Sequence, residues 1–164
     1  MSRLIVFAGA ALIVFAAAAG PLRAAGSDNG ASFGSSVEDQ FRSAVQAVEA
    51  RDYNKAVDLL TDVLSEQPKN ADALNYMGFS QRKLGDYTSA VHYYKQALAV
   101  DPDHRGANEY LGEAYLEMHQ LAKAETHLAR LRQVCGAACE EYRDLAEAVT
   151  AYKAKGKLQQ DSRR

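Results

Sequence analysis

The chain has no tryptophan, only three prolines and only two cysteines in its 164 residues. So little proline, beside an abundance of Ala, Leu, Glu, Lys and Gln, favours helix, because those side chains lose little rotamer freedom on a helical surface. Almost no strand is expected. A basic excess is missing too: the formal charge is -2, and a pI near 6.1 leaves no positive field to hold a phosphate backbone by counterion release. Nucleic acid is therefore not an expected partner. There is no glycine-rich phosphate loop, no nucleophile elbow and no Ser, His and Asp set in a suitable context. No catalytic residue and no cofactor is expected, and the chain does not read as an enzyme. What is present is 48% hydrophobic residues, enough to bury the core of one domain.

The apolar residues open with a run from Leu4 to Ala19, preceded by Arg3 and broken by Gly20 and Pro21. As helix the run would measure roughly 24 Å, short of the ~20 residues that span a bilayer core. Small residues follow at Arg23-Ala24-Ala25-Gly26-Ser27, where a signal peptidase could cut. Residues 1–25 are thus expected to be a cleaved signal peptide and the protein to be periplasmic. The competing expectation is an uncleaved segment anchoring the domain to the inner membrane, the one case in which a membrane becomes a partner. Without residues 1–25, which carry Arg3 and Arg23 and no acid, the balance is 17 basic to 21 acidic groups. Residues 26–36 are rich in Gly, Ser, Asn and Asp and read as a flexible leader.

The rest repeats. Pro68 and Pro102 stand 34 residues apart, and the same interval relates Ala56, Ala90 and Ala124, Gly78 and Gly112, and Leu60, Tyr94 and Leu128. Such a period marks stacked supersecondary units. In the middle copy Leu74, Met77-Gly78, Gly85-Asp86-Tyr87, Ala90, Tyr94, Ala97 and Asp101-Pro102 stand in the order of the tetratricopeptide repeat family, which the chain resembles. The physics of the pattern is plain. Small Gly78 and Ala90 let paired helices approach, Gly85 suits a left-handed turn, and the prolines end each second helix. Departures fall at Ser43-Ala44 in the first copy, at His119 in place of Gly85, and at Gly136 where a proline would close the third.

The expected fold is all-α, an α-solenoid of three hairpins (37–70, 71–104, 105–138) plus a C-terminal capping helix, together forming a domain over 37–155. In the capping helix, 139–155, Tyr142, Leu145, Ala146, Val149 and Tyr152 form one apolar stripe. Residues 156–164 are expected to be a disordered tail.

The resemblance implies a concave wall lined by the first helix of each hairpin. That would gather Phe41, Val45 and Val48, then Asn75, Phe79, Arg82 and Lys83, then Glu109, Glu113 and Glu117. Phe41 and Phe79 would anchor a peptide, with Arg82 and Lys83 receiving a carboxylate. The competing reading of the charges is an ordinary solvated helix face, and that of Phe41, Val45 and Val48 is packing within the array. One branch of the family holds acidic chaperone ends through Lys, Asn and Arg in this groove. Phe41, Val45 and Tyr110 stand where that set would be.

Cys135 and Cys139 flank Gly136-Ala137-Ala138, and a turn there would let them form a disulfide in an oxidising compartment. With His127 eight residues before Cys135, a metal site is only weakly suggested, and none is expected. The leading functional expectation is a protein-protein interaction scaffold in the periplasm or cell envelope, holding a protein or peptide. Its alternative is a thiol-redox or metal-binding accessory protein using Cys135 and Cys139. No oligomeric state is implied.

Overall fold

The computed structural model describes the backbone from Ser36 to Asp161 and side chains as far as Gly156. The signal, cleavage and leader readings for residues 1–35 lie outside the described residues. Seven helices follow in order: α1 Val37–Glu49, α2 Tyr53–Glu66, α3 Ala71–Lys83, α4 Tyr87–Val100, α5 Arg105–Glu117, α6 Leu121–Val134 and α7 Glu140–Asp161. The described residues contain no strand.

Local chemistry accounts for where the helices start. Ser36, Asp52, Asn70 and Asp86 each accept a backbone N–H of the first turn through a side-chain oxygen, satisfying a donor the helix cannot. At α5 a histidine does this work: His104 Nδ1 accepts from Ala107 N–H at 3.1 Å. The other ring nitrogen then carries the proton and donates to Asp72 at 3.1 Å. Gln120 makes no such bond, so α6 starts without a side-chain cap.

The hairpin turns repeat as well. Arg51 (φ 61°), Gly85 (φ 88°) and His119 (φ 60°) all take the left-handed conformation, in equivalent copies of one turn. His119 therefore keeps the turn geometry that its side chain disfavours.

The helices of each hairpin pack on each other, and in the odd-numbered layer α1 touches α3, α3 touches α5, and α5 touches α7. Among the described residues the backbones of α2 and α4, and of α4 and α6, come nowhere so close. A stack whose odd helices touch while its even ones stay apart curves toward the odd-numbered layer.

Close approach depends on the repeated glycines. A Cβ on Gly78 would sit 2.7 Å from the Tyr94 ring, and Tyr94 is fully buried. At Gly112 the intruding group is Leu145 of α7, at 2.5 Å from such a Cβ. The core falls into three buried clusters, around Ala44, Ala56 and Leu60 in the first hairpin, around Leu74 and Ala97, and around Leu111, Leu131, Leu145 and Val149 at the C-terminal end, bridged by the half-buried Leu64, Tyr93 and Leu98. Each large aliphatic buried here contributes roughly 1.5–3 kcal/mol.

One expectation is corrected. Residues 156–161 are helical and continue α7 to Asp161, where a disordered tail beginning at Gly156 was expected. Lys, Leu and Gln around a single Gly retain enough helix propensity to extend an already formed helix. No helix among the described residues is long and apolar enough to cross a membrane.

Candidate functional site: the groove between α3, α5 and α7

Helical spacing aims Phe79, Arg82 and Lys83 toward α5. Arg82 is only 7% exposed. Its guanidinium pairs with Glu113 at 2.7 Å and Glu117 at 3.1 Å, and lies over the rings of Phe79 at 5.6 Å and Tyr110 at 5.7 Å. Burial by itself would lower its pKa, but Glu113, Tyr94 and Glu117 outweigh burial and hold the guanidinium above its ordinary value. Arg82 is thus a strut between two walls: Glu113 and Glu117 hold its two terminal nitrogens, while its buried Nε has no hydrogen-bond partner. Lys83 is exposed, with its ammonium 5.0 Å from the Phe79 ring, and remains available.

Two cavities open along this seam. The larger, about 590 Å³, is lined by Arg82, Lys83, Glu113, Leu116, Glu117 and His119 on one side and by Ala148, Tyr152 and Lys155 of α7 on the other. His119 Nδ1 lies 3.2 Å from the Tyr152 hydroxyl, tying the turn after α5 to α7. The smaller, about 260 Å³, lies between Asn75 and Tyr76 of α3, Glu109 and Tyr110 of α5, and Glu140, Glu141 and Asp144 of α7. Burial first, then Glu113, Asp144 and Glu141, push the Glu109 carboxyl up to about 8 against the opposing pull of Arg82.

The three walls expected from the sequence do not contribute equally. Asn75, Arg82, Lys83, Glu109, Glu113 and Glu117 come together around the two cavities. Phe79 braces them, its ring 5.0 Å from Tyr110 and 6.2 Å from Tyr53. Phe41 and Val48 instead pack against the core of the first hairpin, Phe41 edge-on to Tyr76 at 5.8 Å. With the half-buried Val45, they line neither cavity. Sequence reasoning missed the fourth wall. α7 read as a cover for the end of the stack, yet it supplies Glu141, Asp144, Tyr152 and Lys155. The available signal was that Glu141, Asp144, Ala148, Ala151 and Lys155 recur at three- and four-residue steps beside the apolar stripe.

Cys135 and Cys139 sit in the turn before α7 with Cα atoms 5.8 Å apart and their sulfurs within bonding reach. A carboxylate oxygen of Glu141 lies within 4.8 Å of both sulfurs. His127 is directed elsewhere, bonded through Nδ1 to Asn108 Oδ1 at 3.0 Å and stacked on Tyr115. Burial, with Lys95 adding to it, lowers the pKa of its imidazole.

A curved stack of helical hairpins with a groove on its odd-numbered layer defines a helical-repeat protein. Residues 81–149 match the family described as Tetratricopeptide repeat, and over that stretch the chain is a tetratricopeptide repeat. It is 33% identical over 89 residues to Protein FlbA of Caulobacter vibrioides, an alignment covering 54% of this chain and 15% of that protein. The chain spans at most about half of the curated relatives it matches. Among solved structures, the first repeat domain of Spaghetti (RPAP3) bound to the HSP90 peptide SRMEEVD superposes with TM-score 0.64 at 16% identity, covering 70% of this chain and 94% of that one. The Yersinia enterocolitica type III secretion chaperone SycD, in complex with a peptide of the translocator YopD, gives 0.63 at 19%, covering 76% and 94%. These likenesses carry the fold.

Proposed function

We propose that the protein is an interaction scaffold that holds a protein or peptide partner in the groove between α3, α5 and α7, and that it does so in the periplasm or cell envelope. The observation that carries this reading is the groove itself. Two cavities lie along the same three helices, one lined by Lys83 and Lys155 together with Glu113 and Glu117, the other by Glu109, Glu141 and Asp144. Convergent polar groups on a concave surface are what a specific ligand site needs. The peptide-bound solved structures of the same fold are consistent with it. Export rests on the apolar run Leu4 to Ala19 and the small residues after it. In such a compartment Cys135 and Cys139 are joined as a structural disulfide, which favours the scaffold over a thiol-redox or metal-binding role.

A photo-crosslinking residue at Lys83, compared with one at exposed Lys95 on α4, tests the groove in cells. We expect one discrete adduct from position 83 and none from position 95. Equal labelling from both faces, or none from position 83, refutes the proposal. Charge reversal at Arg82 is unsuitable for this purpose, because it would break the strut and unfold the groove it probes.

A further inference from the structure

Half of the residues that line the smaller cavity are acids: Glu109, Glu140, Glu141 and Asp144. Glu109 is 7% exposed, and the nearby guanidinium of Arg82 pairs with Glu113 and Glu117 instead of with it. Asn75, 6% exposed, lines the same space, and its carbonyl oxygen Oδ1 has no hydrogen-bond partner. Across the opening stand Glu141 and Asp144 of α7. A basic side chain already visits this rim: Arg105 Nε lies 3.4 Å from Glu141, while its own side chain stays more than half exposed. Tyr76 and Tyr110, with Gly106 and Glu140, complete the lining.

With Glu109 ionised, acceptors face acceptors, and such a set is complementary to a ligand that only donates. Among side chains that means the lysine ammonium, with three donors and no acceptor, or the arginine guanidinium, with five. Aromatic faces favour the same cations. Two features select an organic cation over a metal ion. The cavity holds about 260 Å³, several times the ~30 Å³ share of one water. Its carboxylates are also spread apart: among the described residues the acid and thiol group whose ligand atoms gather within 4.8 Å joins Glu141 to Cys135 and Cys139, not to Glu109 and Asp144.

We infer that this cavity receives a lysine or arginine side chain of the partner, which Glu109, Glu141 and Asp144 hold as acceptors with Asn75 completing the set. This rests on the partner-holding role proposed above and deepens it by naming the chemistry of one anchor. The raised Glu109 pKa agrees with the geometry, since a carboxyl kept protonated by burial and neighbouring acids is one that an arriving cation would ionise.

The test is an NMR titration of the isotopically labelled chain with N-acetyl-arginine methylamide, N-acetyl-lysine methylamide, the neutral N-acetyl-citrulline methylamide, and calcium chloride. Either basic amide should shift the backbone signals of Asn75, Gly106, Glu109 and Asp144 in a saturable way, with citrulline amide at least about tenfold weaker, as expected when charge-assisted hydrogen bonds are lost. The paired variant Glu141→Gln, Asp144→Asn changes only partly exposed rim residues; it should weaken binding at least about tenfold while leaving the circular dichroism and Tm in place. Citrulline amide binding as well as arginine amide, undiminished binding by the folded variant, or calcium alone moving these signals would each overturn the inference. So would a chain that crosslinks a partner from position 83 yet ignores both basic amides, which keeps the groove and removes this anchor. Binding of the amides without any crosslink from position 83 would keep the anchor and remove the groove.

Discussion

Burial of Glu109 has a consequence for stability that can be given a sign. Its folded pKa, up to about 8, lies above the ordinary 4.5, so the folded chain holds a proton there more tightly than the unfolded chain does. That contribution is fully present below about pH 4.5 and is lost as pH rises through about 8. The charged groups that set it are Glu113 on the same helix, Arg82 on α3, and Glu141 and Asp144 on α7. Glu109→Gln removes the titration and keeps the shape. We expect the variant to match the wild type near pH 4 and to exceed it by a few kcal/mol near pH 9, since a tenfold change in an acid dissociation constant corresponds to ~1.4 kcal/mol; urea unfolding at the two pH values measures this. Arg82 acts in the opposite direction. Arg82→Ala strands Glu113 and Glu117 and empties the space between Phe79 and Tyr110, and should cost ~2–4 kcal/mol at neutral pH, read as a lowered denaturation midpoint. Helical spacing alone brought Phe79, Arg82 and Lys83 to one face. That Arg82 is consumed internally was not legible, because its partners lie a whole repeat further along the chain.

At the scale of the element, the 34-residue period made helices, turns and small-residue contacts readable, while the exceptions had to be seen. Arg51 and His119 occupy the turn position that Gly85 fills without strain. A left-handed residue with a Cβ costs roughly 1–2 kcal/mol, partly offset in a glycine variant by the greater freedom of its unfolded chain. Arg51→Gly should therefore raise stability by about 0.5–1 kcal/mol, and Gly85→Ala should lower it by a similar amount, both by thermal unfolding. Gly112 is a contact glycine in an ordinary helix, and there the added methyl strikes Leu145. Overpacking of this kind costs about 1–3 kcal/mol. Because Leu145 belongs to α7, Gly112→Ala should also loosen that helix specifically, and limited proteolysis should cut between Cys139 and Tyr152 before anywhere in α1 to α6. The sequence pattern placed Gly112 as the counterpart of Gly78 but could not show that its neighbour comes from α7 and not from within its own hairpin.

Across the whole array, one wall of the groove is the helix that ends the stack. Hairpins of a repeat stack hold each other through one continuous core, but α7 is joined to the third hairpin by the short turn of Cys135 to Cys139 and is held by Leu145, Val149, the contact of Tyr152 with His119 and the ion pair of Lys153 with Glu125. It nevertheless supplies one side of both cavities. A bridge between the cysteines closes a loop of about five residues, worth about 2 kcal/mol on the chain-entropy account, and that restraint acts where α7 leaves the array. Reduction should therefore cost up to about 2 kcal/mol in global stability while accelerating amide exchange in α7 well before α1 to α4. Because local opening of α7 takes Glu141, Asp144, Tyr152 and Lys155 away together, the Cys135→Ser, Cys139→Ser protein should lose affinity at both ends of the groove. Hydrogen exchange with and without dithiothreitol checks the first point. Uniform acceleration across all helices would mean that α7 is no more separable than any other part of the stack, and that the turn does not govern the groove.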